Sequence, residues 1–340
     1  MAGQIAVTVK SPSETKGELK VYIVTDHPIP SPGDGEVLVQ VYLRPVNPSD
    51  VMCIAGHYEG FKPKSFPAVP GLEGVGRVVK NGPGATRFPE GTRVVGVPWP
   101  AEGGNGTWQQ YVNVPEGHLL PVADAVSDEA AAQFLVNPVT AYGFLEVLQV
   151  PKGNWLLQTA AGSTLGRQLI ALAKHRDVRT INLVRRKAQV QELLDIGADV
   201  VISTDEVDDV PARIEEVTGG KLAYAAVDAV AGETTATVAA SVRDHGTVLV
   251  YGALADFKLE LGVADLLFRD VRIHGFWLNH WLAELGDKAP AVLSTLMDLL
   301  GNGVIKPHSG KKFPLEQANE AVKANEEPGR SSEGKFFLEG

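Results

Sequence analysis

The segment that decides the fold runs from Asn154 to Lys187 and reads NWLLQTAAGSTLGRQLIALAKHRDVRTINLVRRK. Its first residues, 155–158, form a short apolar run, as expected of a strand buried on both faces of a parallel sheet. A turn of small residues follows, and then Leu165, Leu169 and Leu172 recur at helical spacing. Residues 180–184 give a second apolar strand. Strand, turn, helix and strand form the unit that places a pyrophosphate on a helix N-terminus, where free N–H groups and the helix dipole favour anions.

The glycine pattern of this turn departs from the dinucleotide fingerprint. Counting back from Gly166, the two other fingerprint positions hold Ala161 and Ser163, and Gly162 is out of register. The pattern alone therefore leaves two interpretations open, a phosphate-binding turn and a purely structural one. The candidate phosphate-binding residues are Ala161, Gly162, Ser163, Thr164, Leu165 and Gly166.

The end of the second strand favours cofactor binding and selects the cofactor. A site for NAD needs an acidic residue there, about 20 residues past the turn, to bind the ribose 2′-hydroxyl. The chain instead has Arg185, Arg186 and Lys187. Guanidinium groups suit a 2′-phosphate through charge-assisted, bidentate contacts, although basic residues at a loop end are also ordinary surface. We therefore predict NADPH, bound through Arg185 and Arg186.

Composition limits the class of protein. A chain of 340 residues predicts about two domains. The net charge of −10 argues against nucleic acid as a partner, and no apolar run approaches the ~20 residues of a membrane span. The single cysteine, Cys53, permits neither an internal disulfide nor a thiolate metal cluster. The first residues alternate like a strand and resemble neither a signal nor a transit peptide, so we expect a cytoplasmic location.

The pattern of predicted secondary structure changes near residue 126. The residues before it are rich in short strands and turns, as in the alternating stretch Gly35–Arg44, which suggests a barrel-like or sandwich domain. Beyond Ser127 helices and strands alternate, which predicts a doubly wound α/β domain of about six strands. Residues 282–302 read as helix, and the last ~38 residues return to mixed strand and loop that can rejoin the first domain. We predict a discontinuous domain, 1–125 with 280–340, around a nucleotide-binding domain, 126–279.

Several motifs carry a resemblance over nearly the whole chain. They are Val46-Asn-Pro-Ser-Asp50, Ala55-Gly-His-Tyr58, Pro67-Ala-Val-Pro-Gly-Leu-Glu-Gly-Val-Gly76, Gly106-Thr-Trp108, Val136-Asn-Pro-Val-Thr-Ala-Tyr142, Ala160–Gly166, Gly246–Gly252 and Gly275-Phe-Trp-Leu278. The chain resembles the zinc-free branch of the medium-chain dehydrogenases/reductases, and most closely the mitochondrial-type 2-enoyl thioester reductases. The resemblance implies an α/β protein with a GroES-like β-rich barrel domain plus a doubly wound parallel-sheet (Rossmann) domain. It also implies a role in fatty acid metabolism and a homodimer joined near Val271–Phe276.

The positions where zinc would bind lack the ligands. In related zinc enzymes the residue before Glu73 is a ligand histidine, and here it is Leu72. Cys53 is the single cysteine, and the eight histidines show no i, i+4 pair. Without a Lewis acid, the acceptor must already be polarised, as a double bond conjugated to a carbonyl is. Hydride then adds at Cβ, charge moves to the carbonyl oxygen, and the protein supplies a hydrogen-bond donor there and a proton for Cα.

Tyr58 is the candidate catalytic residue, because it matches the tyrosine that the family places beside the substrate. A phenol titrates near ~10 and is a donor at neutral pH, although an ordinary half-buried loop tyrosine is the alternative. The resemblance places further residues against the cofactor or the acyl chain: Asn47, Asn137, Thr140, Tyr251, Gly252, Ala253, Phe276, Trp277, Leu278 and Lys335. Alternative roles are helix caps for the asparagines and threonine, core packing for the aromatics, and an exposed terminal position for the lysine.

These observations predict NADPH-dependent reduction of an activated C=C bond, with a trans-2-enoyl thioester as the preferred acyl substrate. That substrate is either a small molecule such as an acyl-CoA or an acyl group linked to a carrier protein. The phosphates of the CoA or phosphopantetheine group are candidates for binding by five lysines: Lys62, Lys64, Lys306, Lys311 and Lys312. Two alternatives stay open: a quinone or enone reductase of the same fold, and a non-catalytic NADPH-binding protein.

Overall fold

The computed structural model describes residues 3–10, 19–327, 329 and 333–340. The chain divides into two compact units: unit 1 comprises residues 1–137 and 297–340, and unit 2 comprises residues 138–296. The strands in chain order are β1 (Gly3–Thr8), β2 (Tyr22–Pro28), β3 (Glu36–Pro45), β4 (Val75–Asn81), β5 (Arg93–Gly96), β6 (Tyr111–Pro115), β7 (Leu119–Pro121), β8 (Trp155–Gln158), β9 (Arg179–Val184), β10 (Val200–Ser203), β11 (Ala223–Asp228), β12 (Val242–Val250), β13 (Arg272–Gly275), β14 (Ser309–Pro314) and β15 (Lys335–Glu339). The helices are α1 (Pro48–Ala55), α2 (Asp128–Ala132), α3 (Asn137–Leu148), α4 (Thr164–His175), α5 (Val190–Asp195), α6 (Val210–Thr218), α7 (Glu233–Ala240), α8 (Val263–Leu267), α9 (Leu278–Leu285), α10 (Ala289–Gly301) and α11 (Ala318–Glu326).

Unit 1 is built on a seven-stranded sheet of order β14-β15-β3-β4-β5-β7, with β6 paired to β3. The alternation predicted for residues 35–44 is the reason that β3 lies inside it: Val37, Val39 and Val41 are fully buried. The last strand, β15, runs antiparallel to β3, with Phe337 opposite Pro45. The end of the sequence therefore rejoins the first domain.

Unit 2 contains a six-stranded parallel sheet of order β10-β9-β8-β11-β12-β13. Its inner strands are buried, and Leu157 of β8, Ile181 of β9 and Val248 of β12 are fully buried. The strand order reverses between β8 and β11, which makes that crevice the topological switch point of the sheet. The prediction of a doubly wound domain with six strands is confirmed.

The boundaries of the units differ from the predicted domain limits. Residues 126–137 belong to unit 1, because Asp128 in α2 accepts hydrogen bonds from Tyr42 of β3 at 2.8 Å and from Arg93 of β5 at 2.7 Å. The predicted limit at residue 280 falls inside α9, and unit 2 continues to residue 296.

Two helical features differ from the predicted pattern. The helix expected over 282–302 is divided into α9 and α10, because Gly286 has a left-handed φ of 49° that ends α9. The end of the chain also contains α11, which buries Ala318, Ala321 and Val322 in a stretch predicted as strand and loop. In the part of the chain that is described, no helix is long and apolar enough to cross a membrane.

Candidate functional site

The turn between β8 and α4 presents backbone donors at a helix N-terminus. Two of its N–H groups are used internally: Ala161 N donates to Leu183 O at 3.1 Å, and Ser163 N donates to Ala160 O at 2.9 Å. Ser163 is the N-cap, and its Oγ accepts from Gly166 N at 3.1 Å. The N–H groups of Thr164 and Leu165 begin the helix and have no i−4 carbonyl within it, so they are the donors available to an anion.

Gly166 performs the packing function of the third fingerprint glycine. A Cβ at this position would lie 2.5 Å from Ala161 O and 2.7 Å from Ala161 Cα, so only glycine lets α4 approach the turn this closely. Ala160 adopts a left-handed φ of 48° at the entry to the turn. Residues 161–166, which the sequence singled out, therefore lie together in one tight turn that would cradle a phosphate.

The basic residues after β9 differ in their availability. Lys187 Nζ lies 2.6 Å from Glu206 Oε1 in an exposed ion pair. Arg186 is half-buried directly after the strand. Arg185 is exposed, and its guanidinium makes no ion pair with any residue that the structure describes. Arg185 is thus the cation of this group that is best placed to receive a phosphate.

A buried carboxylate lies at the switch point, and the sequence interpretation did not include it. Asp228 ends β11 and accepts hydrogen bonds from Thr159 Oγ1 at 2.8 Å, Thr235 Oγ1 at 2.7 Å and Val230 N at 2.9 Å. Partial burial and the Asp228 carboxylate raise the pKa of Tyr251 at the end of β12. The sequence feature that could have identified Asp228 is a carboxylate at the end of an apolar strand. These bonds fix the ends of β8 and β11, where ligands of such sheets bind.

Two of the predicted aromatic residues of unit 2, Tyr251 and Phe276, pack against the same ring, that of Phe144. Phe276 packs edge-on against Phe144 at 4.8 Å between centroids, and Phe144 lies 4.7 Å from Tyr251. Phe276 also lines a cleft of about 310 Å³ beside β13, together with Trp277 and other residues. Leu278 begins α9, Ala253 is half-buried after β12, and a Cβ on Gly252 would lie 2.7 Å from Ala229 O.

Asn47 and Lys335 belong to a buried polar network in unit 1. Lys335 Nζ donates to Asn47 Oδ1 at 2.6 Å, and Asn47 Nδ2 donates to Glu73 Oε1 at 2.9 Å. The other oxygen of Glu73 accepts from Val136 N at 2.8 Å, next to Asn137. Lys335 is only 4% exposed, so the alternative of a solvated terminal lysine is wrong. The network ties the start of α1, β15 and the backbone at Val136 to one carboxylate.

Burial controls the ionisation of this network. It raises the pKa of Asp50 to about 6, against the pull of the Asn47 and Leu72 amides, which donate to the two carboxylate oxygens at 2.8 and 2.9 Å. Burial also raises the pKa of Glu73, opposed by its donors from Val136 and Asn47 and by the charge of Lys335. The capping role considered for Asn47 fits these contacts, because Asn47 and Asp50 form a capping box at the start of α1. Glu73 itself was missed as a structural centre, since its partners are distant in sequence.

The remaining predicted residues lie at the surface of unit 1 and along α3. Tyr58 follows Gly56, which ends α1 with a φ of 76°, and its ring packs partly buried against the core of unit 1. Thr140 is buried in α3. Asn137 is 6% exposed, and its Nδ2 has no hydrogen-bond partner among the described residues. An unsatisfied buried donor is costly, so the amide of Asn137 fits a polar group of a ligand such as a dinucleotide.

Comparison with known proteins places the chain in a family. Residues 33–124 match the alcohol dehydrogenase GroES-like domain, and residues 164–299 match the zinc-binding dehydrogenase domain. The chain is 32% identical over 305 residues to the mitochondrial enoyl-[acyl-carrier-protein] reductase of Homo sapiens, which covers 87% of this chain and 79% of that protein. The chain belongs to the medium-chain dehydrogenase/reductase family and is an oxidoreductase. This confirms the resemblance and the two-domain fold.

Solved structures agree with this assignment. A Bacillus thuringiensis protein described as an NADPH:quinone reductase is 30% identical, with a TM-score of 0.88 and coverage of 99% of both chains. A mycobacterial protein in complex with NADPH is 28% identical, with a TM-score of 0.86 and coverage of 99% of this chain and 100% of that one. Within the described residues of the present chain, no three His, Cys, Asp or Glu side chains are grouped as a metal ion would need.

Proposed function

We propose that this protein uses NADPH to reduce the C=C bond of a trans-2-enoyl thioester to the saturated acyl thioester. The identity of 32% with an enoyl-[acyl-carrier-protein] reductase over most of the chain supports the proposal. The observation that carries it is Tyr58, a half-exposed phenol on the loop where that family has its substrate tyrosine.

The residues of unit 2 suit the phosphates of NADPH. The N–H groups of Thr164 and Leu165 would hold the pyrophosphate, and Arg185 would pair with the 2′-phosphate. The resemblance assigns Asn137 to the nicotinamide carboxamide, and the unsatisfied amide of that side chain supports the assignment. When bound, the dihydronicotinamide supplies the hydride.

Tyr58 would act on the substrate as a donor. A phenol hydroxyl at this position can donate to the thioester carbonyl oxygen as negative charge develops there. The same hydroxyl can supply the proton that Cα takes up. The amide of Asn47 is bound to Glu73 and to Lys335, so Asn47 shapes the site rather than donating to substrate.

The test is NADPH oxidation with crotonyl-CoA in wild type, Tyr58→Phe and Tyr22→Phe. We expect Tyr58→Phe to lower kcat about 10²–10³-fold, because it removes a donor aimed at developing charge. Tyr22→Phe is the matched control, since Tyr22 lies in β2, away from the Tyr58 loop in sequence, with its ring under Lys10 at 4.1 Å. Unchanged turnover in Tyr58→Phe contradicts the assignment.

A quinone or enone reductase is the second candidate. The Bacillus thuringiensis structure, with a TM-score of 0.88, favours it. A quinone accepts hydride without a precisely placed donor, so Tyr58→Phe should impair its reduction less. Turnover of quinones with none of crotonyl-CoA refutes the thioester proposal. Tight NADPH binding with no oxidation by any acceptor supports the non-catalytic alternative.

The choice of NADPH has its own measurement. Arg185→Ala should weaken binding of NADPH and leave that of NADH nearly unchanged, because only NADPH carries the 2′-phosphate. Lys187→Ala is the control, since Lys187 is paired with Glu206 at 2.6 Å. Equal affinity of wild type for the two cofactors refutes the assignment.

We further propose a homodimer joined at the β13 edge, as the resemblance implied. Large apolar side chains are exposed on the segment before that strand, with Phe257 70%, Leu267 70% and Phe268 84% exposed. An apolar surface of this kind beside a sheet edge is typical of a protein interface. Phe268→Glu should shift the protein from dimer to monomer in light scattering, whereas Leu194→Glu should not. A monomeric wild type refutes the proposal.

The lysines considered for the substrate phosphates are unequal. Lys62 is paired with Glu59, and Lys312 Nζ lies 2.6 Å from Glu129 Oε1. Lys64 and Lys306 are exposed and make no ion pair with a described residue, so they are the better candidates. Replacing either by Ala should raise KM for crotonyl-CoA without changing kcat. The cytoplasmic location also stays a prediction.

A further inference from the structure

A buried arginine lies directly beneath the turn that precedes α4. Arg167 is the fourth residue of that helix and is only 9% exposed. Its Nε donates to Gly162 O at 3.1 Å, so the side chain folds back toward the N-terminus of the helix. Its Nη2 lies 2.6 Å from Glu192 Oε1 in α5. The guanidinium therefore connects the turn to a neighbouring helix.

Gly162 is fixed from a second side by another side chain. A Cβ on Gly162 would lie 2.2 Å from Gln189 Nε2, so the amide of Gln189 packs against the Gly162 Cα. The turn has Ala161 and Ser163 where the fingerprint has glycine. Its conformation depends on side chains outside it as well as on its own backbone, and Arg167 holds the carbonyl at its centre.

The charge of Arg167 is only partly compensated by the Glu192 carboxylate. A cation at the N-terminal end of a helix opposes the helix macrodipole, and burying a guanidinium removes its hydration. The pairing with Glu192 offsets this incompletely, because the Glu192 side chain is 38% exposed and its field is screened by solvent. A bound phosphate at this N-terminus makes the same charge favourable.

We infer that Arg167 is a positioning residue for the pyrophosphate of the bound dinucleotide, through its bond to Gly162 and through its charge. This inference rests on the proposed NADPH site at the turn. In the usual fingerprint, glycines set the conformation of the turn. Here Arg167 would stabilise that conformation instead. This role does not involve the 2′-phosphate, which belongs to Arg185.

The experiment compares Arg167→Met with Arg176→Met by calorimetric titration of NADPH and of adenosine 2′-monophosphate, which lacks the pyrophosphate. Arg176 is the matched control, because it caps the other end of α4 and its Nη2 lies 2.7 Å from Glu146 Oε1. We expect Arg167→Met to weaken NADPH about tenfold and to leave the mononucleotide unchanged. Its kcat at saturating NADPH should stay within about twofold of wild type. Arg176→Met should change neither affinity.

A second variant separates positioning from general stability. Glu192→Gln removes the partner and leaves the guanidinium, so NADPH should bind as tightly as in wild type or more tightly, even if Tm falls. Arg167→Lys, which keeps the charge, should recover part of the lost affinity. This pair of results remains informative if Arg167→Met folds poorly.

Three outcomes overturn the inference. They are an unchanged NADPH affinity in Arg167→Met, an equal loss for NADPH and adenosine 2′-monophosphate, and a weaker NADPH affinity in Glu192→Gln. If wild type binds both adenosine 2′-monophosphate and NADPH, and Arg167→Met binds NADPH equally well, only the positioning role of Arg167 is rejected. A wild type that binds no NADPH rejects the proposed function together with it.

Discussion

Replacing Gly166 by Ala tests the close contact between α4 and the turn. The added Cβ would lie 2.5 Å from Ala161 O, whereas ordinary contacts begin at 3.4 Å, so helix and turn must separate by roughly 0.9 Å. Both sides of this contact are backbone and cannot rotate away. Overpacking of this kind costs about 1–3 kcal/mol, and the better helix propensity of alanine returns about 1 kcal/mol. The free energy of unfolding should therefore fall by about 1 kcal/mol.

The effect on NADPH should be larger than the effect on stability. The donors of Thr164 and Leu165 move with the helix, and a displacement near 1 Å costs up to about 10²-fold where geometry is demanding. We expect the Kd for NADPH, measured by fluorescence titration, to rise at least about tenfold.

The control for this variant is Gly117→Ala, which adds the same methyl group where no atom lies within 4 Å. It should leave the Kd unchanged. A Gly166→Ala protein with the Kd of wild type, or with higher stability, would refute the close-packing argument.

Three further predictions concern stability in urea. Ala160→Gly should raise the free energy of unfolding by about 0.5 kcal/mol, because relief of the left-handed φ of 48° exceeds the entropy that glycine costs; lower stability contradicts this. Thr235→Val should cost about 1.5–3 kcal/mol by removing the 2.7 Å bond to Asp228, while the exposed Thr295→Val should change stability by less than about 0.5 kcal/mol; equal effects contradict the role of this bond. Because the folded state raises the pKa of Glu73, it binds a proton more tightly than the unfolded state, so wild-type stability falls as pH rises from about 4.5 through that folded pKa. Glu73→Gln removes this titration, and the stability of wild type minus that of the variant should therefore be smaller at pH 8 than at pH 5; a larger difference at pH 8 contradicts the direction of the shift.

Local pattern was sufficient for the first strands and the first helix of the parallel sheet in unit 2, but not for the division between α9 and α10. The apolar runs and the small-residue turn predicted β8, α4 and β9 because strand burial and helical periodicity are properties of a few neighbouring residues. The close approach at Gly166 also follows from its position in the turn. The basic end of β9 was visible, but which cation is free depends on Glu206, which pairs with Lys187.

The network of unit 1 could not be predicted in this way. Asn47 meets Glu73 across 26 positions and Lys335 across 288. No periodicity relates these residues, so the sequence interpretation could leave Lys335 exposed when it is buried. The role of Arg167 was hidden for a related reason. Its place in a helix is ordinary, and only the folded-back side chain brings it to Gly162.

The position of β15 sets an order of events during synthesis. This strand lies between β14 and β3 in the sheet of unit 1, although it comes near the end of the sequence. The sheet of unit 1 lacks β15 until residues 335–339 have left the ribosome, and by then the whole of unit 2 has emerged. Domains generally fold as units while the chain grows. Unit 2 can therefore fold first, while residues 43–45 of β3 wait for β15 and residues 36–40 of the same strand can already pair with β6.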